Sequence, residues 1–173
     1  MKPKITPRNA EISIEPNDLI VSKTDTKGRI IYANRTFMRI AGYSLPELLG
    51  VQHNLVRHPD TPRGVFRLLW NTIQSGQECF AYVKNMTSDG AFYWVRANVT
   101  PDIDAAGKVR GFYSVRRKPE AEALRTVLPL YEEMLGIERR AGAAEAPEIS
   151  LRFLRDKLTE FGTDYDRFVL SLK

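Results

Sequence analysis

Apolar and polar residues alternate in two short runs near the start of the chain. They then recur at spacings of three and four, alternate again through three longer runs, and return to helical spacing at the end. "DLIVSKTD" predicts a strand, and "TKGRIIYAN" predicts a second strand behind a turn at Gly28, so that the two form a hairpin. "NRTFMRIAGYS" predicts a short helix with Phe37, Met38 and Ile40 apolar and Gly42 at its end. In "SLPELLG", Ser44, Pro46 and Glu47 carry the Ser-x-x-Glu pattern of a capped helix start. "DTPRGVFRLLWNTIQSG" predicts a longer helix, capped by Thr61, with Pro62 in its first position and Gly76 just past its end. Phe66, Leu69, Trp70 and Ile73 share one face of it.

Three β-type runs follow: "CFAYVKNMT", "AFYWVRANVTPDID" and "KVRGFYSVRRK", joined by turns at "SDG" and "DAAGK". The order β-β-α-α-α-β-β-β predicts an α+β fold, a five-stranded antiparallel sheet with helices on one face. In the second of these runs Tyr93, Val95, Ala97 and Val99 point one way, and Phe92, Trp94, Arg96 and Asn98 the other. The slim first set suits a pocket floor. Phe92 and Trp94 form an aromatic patch that predicts an interface with a flanking helix or a second subunit.

Three segments result: an N-terminal arm or cap (1–17), the β/α domain (18–118) and a helical C-terminal extension (119–173). The extension begins with a helix interrupted at Pro129 and continues through a small-residue linker at about 140–148. Leu151, Leu154, Leu158, Phe161, Tyr165, Phe168 and Leu172 then form an a/d repeat. Gly162 weakens that helix by about 1 kcal/mol relative to Ala. The repeat is suited to dock on its own domain or on a second copy.

Composition narrows the function classes. With 173 residues, 43% hydrophobic and 27% charged, the chain has enough apolar surface for a packed core. A net charge of +5 favours anionic partners mildly, but no basic run with interleaved aromatics points to nucleic acid. The single Cys79 excludes an internal disulfide and a cysteine zinc cluster. No window approaches the roughly 20 apolar residues of a membrane helix. "MKPKITPRNA" has no apolar segment behind it, so a cytoplasmic location is expected.

The order of elements, with "IIYANRTFMRIAGYSLPELLG" in its first half, resembles a PAS domain over residues 18–118. "HNLVRHPDTPRGVFRLLW", "VKN" and "YWVRANVTP" resemble the flavin-binding PAS domain of bacterial aerotaxis receptors, and "PLYEEML" extends that likeness past the sheet. The resemblance implies non-covalent FAD, sensing of redox state or oxygen, no enzymatic activity, and a signal passed to a chemoreceptor or kinase-type partner. The aromatic patch and the heptad-spaced tail lead us to expect a homodimer through Phe92, Trp94 and the C-terminal helix. Two rivals stay open: a haem gas sensor, and a ligand-free module with its pocket filled by Phe66 and Trp70. Light-sensing PAS domains of the LOV type place a reactive cysteine in the segment matching "VRHPDTP". This chain has none there, which argues against adduct-forming photochemistry.

"HNLVRHPDTP" concentrates the candidate chemistry, and His53 and His58 are the chain's only histidines. They are too few for a metal site, although one suffices as an axial haem ligand. No second carboxylate or nucleophile supports acid/base catalysis. As a pocket wall the stretch is better explained. Arg57 and His58 would offer a fork and a ring N–H to a dinucleotide's diphosphate. Asp60 would orient Arg57, accept from ribose hydroxyls, or simply cap the next helix. His53 would meet the adenine side. Trp70 and Phe66 are core residues or flavin neighbours. The Asn85 amide, in mid-strand, would bond the polar edge of the isoalloxazine ring from both its oxygen and its nitrogen. Asn34 resembles a family cofactor residue and is also placed to cap a helix.

Overall fold

A computed structural model describes residues 5–172; of the N-terminal arm, residues 1–4 lie outside them. The predicted hairpin forms from β1 (Ile20–Asp25) and β2 (Ile30–Ala33), closed by Gly28 in the left-handed region at φ 78°. β3 (Cys79–Met86), β4 (Phe92–Ile103) and β5 (Val109–Arg117) complete one antiparallel sheet in the order β2-β1-β5-β4-β3. Its central strand β5 is bonded on both sides by strands far from it in sequence or joined by a tight turn.

Between β2 and β3 lie α1 (Arg35–Ala41), α2 (Leu45–Leu48), a single 3-10 turn (His53–Val56) and α3 (Arg63–Gln74). Gly42 ends α1 in the left-handed region at φ 73°. At α2 the Glu47 carboxylate accepts from the Ser44 backbone N–H at 2.8 Å and from its hydroxyl at 2.6 Å. The start of α3 differs from the sequence expectation. Pro62 occupies the cap position, and Thr61 caps nothing. Its hydroxyl instead donates to the Lys84 carbonyl at 3.0 Å and accepts from the Lys84 N–H at 2.9 Å. An edge strand needs partners for its outward backbone groups, and here a tertiary demand outweighs a local one.

The extension forms α4 (Ala121–Arg140), α5 (Ala146–Glu160) and α6 (Tyr165–Ser171). α4 runs through Pro129 without interruption. Pro129 is solvent-exposed, and water can serve the Arg125 carbonyl left without an intrahelical donor. The break before α5 covers only 141–145, shorter than the expected linker. The expected heptad repeat also breaks. Gly162 turns left-handed at φ 67°, Phe161 is 71% exposed, and Asp164 caps a separate α6.

Leu151, Leu154, Leu158 and Val169 are buried in the same core cluster as the sheet, so the extension docks on its own domain. It packs α5 on α3 and α6 on β3. On α4, Tyr131 donates its hydroxyl to the outward Tyr82 carbonyl of β3 at 2.7 Å and tilts against Trp94 at 6.3 Å. The aromatic patch is therefore filled from within. Trp94 is 9% exposed, and Phe92 exchanges backbone bonds with Ala10 and Ile12 of the arm. The surface expected to receive a second copy is already occupied by α4 and the arm. Among the described residues, no helix is long and apolar enough to cross a membrane.

Candidate functional site

Strand parity aims Phe112, Ser114 and Arg116 of β5 at the same side as Ala97 and Val99 of β4 and Val83 and Asn85 of β3. α3 lies over them and contributes Phe66, Leu69, Trp70 and Ile73. The 52–57 segment closes one end with Gln52, His53, Asn54 and Arg57. These residues enclose a cavity of about 150 Å³, lined mainly by apolar side chains with His53, Arg57, Asn85, Ser114 and Arg116 among them.

Of the eight residues singled out from the sequence, five meet here: His53, Arg57, Phe66, Trp70 and Asn85. Three are placed elsewhere. Asn34 caps α1, accepting from the Phe37 N–H at 3.0 Å and the Val21 N–H at 3.1 Å while donating to the Leu19 carbonyl at 2.7 Å. His58 is buried with its ring edge toward Phe92, and its Nδ1 accepts from the Asp60 N–H at 3.1 Å. Asp60 neither caps α3 nor orients Arg57; its carboxylate meets Lys84 Nζ at 2.7 Å. His58 and Asp60 lie on the β3 edge side of their loop, because the backbone there is pinned to Lys84 and Asn85. For Asn34, replacement by alanine removes a cap and two further bonds. We expect Asn34→Ala to lose about 2–3 kcal/mol in urea unfolding, with ligand affinity at the cavity unchanged.

Arg57 is held by the Phe66 ring, its Cζ 4.2 Å from the centroid, and by a long 3.4 Å bond to the Thr61 carbonyl. Burial and the neighbouring Arg63 lower its pKa, and Glu138 opposes them. Trp70 stands edge-on to Phe112 at 5.6 Å. The Tyr93 hydroxyl, fully buried, has no hydrogen-bond partner; the Asn85 amide is within electrostatic reach but outside bonding geometry.

The residue that sequence reasoning missed is Arg116. It is 2% exposed, its guanidinium lies 4.2 Å above the Phe37 ring, and only Nη2 is bonded, to Ser22 Oγ at 2.8 Å. Its Nε and Nη1 are buried without partners. Burial lowers its pKa to about 10, so it stays charged at neutral pH, and among the described residues no carboxylate pairs with it. Its signal was the parity of β5, which sets it with Phe112 and Ser114, but it reads in sequence as one more charge in "VRRK".

Arg116 is also linked to His53. Ser22 Oγ accepts from Arg116 Nη2 and shares a 3.0 Å hydrogen bond with His53 Nε2, whose direction follows the imidazole tautomer. His53 keeps some accessible surface, yet its ring sits deep among protein atoms beside Phe37. Desolvation first, and the Arg116 cation second, lower its pKa from 6.5 to about 3. The unfolded chain then binds a proton that the folded one refuses, so stability is full above pH 6.5 and falls as pH drops toward 3. The expected slope is up to about 1.4 kcal/mol per pH unit, read as the difference between wild type and His53→Gln in denaturant titrations.

Cys79 is buried, lies outside the cavity lining, and is pushed up to about 12 by burial and by Asp166. Among the described residues, no group of three or more His, Cys, Asp or Glu is placed to hold a metal ion.

Comparison with known proteins bears on the family and the fold. The aerotaxis receptor of Escherichia coli is 38% identical over 132 residues, which is 76% of this chain and 26% of that protein. A nitrogen fixation regulatory protein of Klebsiella oxytoca is 32% identical over 60% of this chain and 21% of its own length. The chain thus spans about a quarter or less of these relatives. Among solved structures, the light state of the blue-light photoreceptor Aureochrome1 LOV superposes with a TM-score of 0.58 at 22% identity, covering 66% of this chain and 90% of that one. The profile of the PAS fold matches residues 18–118. With more than half of its length inside that match, the chain belongs to the PAS-fold family.

Proposed function

We propose that this chain is a sensor that binds FAD non-covalently in the cavity and reports redox state or oxygen to a signalling partner. One observation carries the reading: an uncompensated guanidinium, Arg116, is buried at the wall of an apolar slot. A charge left unpaired in the interior costs several kcal/mol, and a ligand that presents strong acceptors to it would offset that cost. A flavin's edge has carbonyl oxygens and ring nitrogens, and it gathers negative charge when reduced. Asn85 can donate and accept at the same edge. Phe66 and Trp70 supply flat apolar cover on the α3 side, while Ala97 and Val99 are slim enough to let a ring lie against β4. A bound flavin would supply reversible electron uptake. The chain's part is to hold the ring, exclude water and keep a fixed cation beside it.

Binding rather than catalysis fits the polar groups. The Ser22 hydroxyl, which is hydrogen-bonded to His53, is 0% exposed, absent from the cavity lining, and also engaged by Arg116. The names of two relatives, an aerotaxis receptor and a nitrogen fixation regulator, are those of regulatory proteins, which supports a signalling role.

One observation favours the ligand-free reading instead. At about 150 Å³ the cavity is smaller than the roughly 300–1,000 Å³ of typical ligand sites. Trp70, half-buried over Gly28, fills part of the space between α3 and the sheet. The absorption spectrum of freshly purified protein, with any chromophore released by mild heat and identified, separates the two. A twin-peaked flavin spectrum and released FAD support the proposal. A colourless protein that FAD, FMN and riboflavin all fail to reconstitute overturns it.

A further inference from the structure

The cavity does not end at Arg57. Asn54 and Arg57 also line a surface groove whose other walls are Pro59, Arg63, Leu135, Glu138 and Arg139. Two elements build it. Asn54 through Arg63 belong to the sensor domain, whereas Leu135, Glu138 and Arg139 come from the last turns of α4.

Its charge is unbalanced. Three arginines face one carboxylate, Glu138, which attracts Arg57 while its Oε1 accepts from the Gly64 N–H at 3.1 Å and from Ser150 Oγ at 2.5 Å, so positive charge stays in excess. Arg57 and Arg63 are close enough for their charges to repel. Arg63 spends Nη1 on the Ala143 carbonyl at 3.0 Å, which anchors it between α4 and α5. Arginine forks clustered beside a ring-shaped slot suit an anionic group that leaves the ring by a flexible tether.

We propose that α4 completes the ligand site, with Arg139 joining Arg57 and Arg63 to hold the diphosphate of a dinucleotide whose ring occupies the cavity. This inference rests on the flavin reading and deepens it, because it makes the occupant a dinucleotide and places part of its site on the extension. Ligand occupancy then bridges the sensor domain and the extension directly, across the α3–α4 contact.

The test uses the full chain and three probes: FAD, FMN and riboflavin. Dissociation constants are measured by flavin fluorescence for wild type, Arg139→Glu and Arg139→Lys. Arg139 is exposed, and circular dichroism checks that each variant folds. Charge reversal is expected to weaken FAD by about tenfold or more, FMN by less, and riboflavin by under about twofold, with the lysine variant close to wild type for FAD. FAD affinity unchanged by Arg139→Glu, or FAD and riboflavin weakened equally, overturns the role of α4 and leaves the flavin reading standing. Wild type that binds none of the three overturns both.

Discussion

Replacing Arg116 by methionine is expected to leave the ligand-free protein as stable as wild type or more so, while FAD affinity falls by about a hundredfold or more. The two effects have one origin. Arg116 sits on the central strand with two of its guanidinium nitrogens unbonded and, among the described residues, no carboxylate paired with it. Without a ligand, its desolvation is offset only by Ser22 and by the face of Phe37. Methionine fills similar apolar space with no charge, a change worth about 1–4 kcal/mol in favourable cases. It leaves Ser22 Oγ with His53 as its side-chain partner. It also removes the cation that helps to lower the His53 pKa, so the acid-labile window of His53 should narrow. In the liganded state the balance reverses. Truncating one partner of a buried charged contact typically costs 2–5 kcal/mol, of which about 2.7 kcal/mol is a hundredfold in affinity. Urea unfolding without ligand and FAD titration give the two readings on one variant. Loss of stability with affinity retained would make Arg116 a structural residue and remove the observation on which the flavin reading stands.

Why Arg116 escaped the sequence while Asn85 did not is a matter of local contrast. Asn85 is a lone amide inside an apolar β-run, and such a residue must find a partner if it is buried. Arg116 stands in a run of basic residues at a strand end, where solvent exposure is the ordinary outcome. Only the register of β5 between β1 and β4 shows it turned inward. The fold was more legible. Gly28, Gly42 and the Ser44–Glu47 box sit where the turn and cap patterns put them, because those patterns are decided within a few residues. His58, Asp60 and Thr61 are the opposite case. Their local chemistry permits a ligand or a cap, but the open edge of β3 needs donors and acceptors at Lys84, and the 57–61 segment meets that need. The tail shows the same limit. Its apolar spacing is compatible with a coiled coil, but Gly162 and Asp164 allow a break, and the contact that fixes α5 is made with α3, about 85 residues earlier.

That contact turns on Gly64, and Gly64→Ala is expected to loosen the extension. A Cβ at Gly64 would lie 2.3 Å from Ser150 Oγ, 2.6 Å from the Leu151 N and 2.9 Å from the Ser150 carbonyl carbon. The hydroxyl could rotate away; the backbone atoms could not. α5 must therefore move off α3, and Glu138, which accepts from both Gly64 N–H and Ser150, loses its fixed geometry. Alanine in the first turn of a helix gains up to about 1 kcal/mol of intrinsic propensity over glycine. Forcing a methyl into a filled contact costs about 1–3 kcal/mol or more, and here two backbone atoms stand in the way. The clash wins, with an expected net loss of about 2 kcal/mol. The sign of that difference separates a packing contact from a mere helix interior. Hydrogen exchange should rise first in α5, where Leu151, Leu154 and Leu158 would lose their cover, before it rises in the sheet. Gly142→Ala is the control, since a Cβ there meets nothing within 4 Å. If Gly64→Ala were as stable as wild type with α5 equally protected, α5 would not rest on α3 at this glycine. Where the clash does move α5, the Glu138 bonds that bring α4 to the groove are disturbed with it, so the same variant tests the platform on which a two-part ligand site depends.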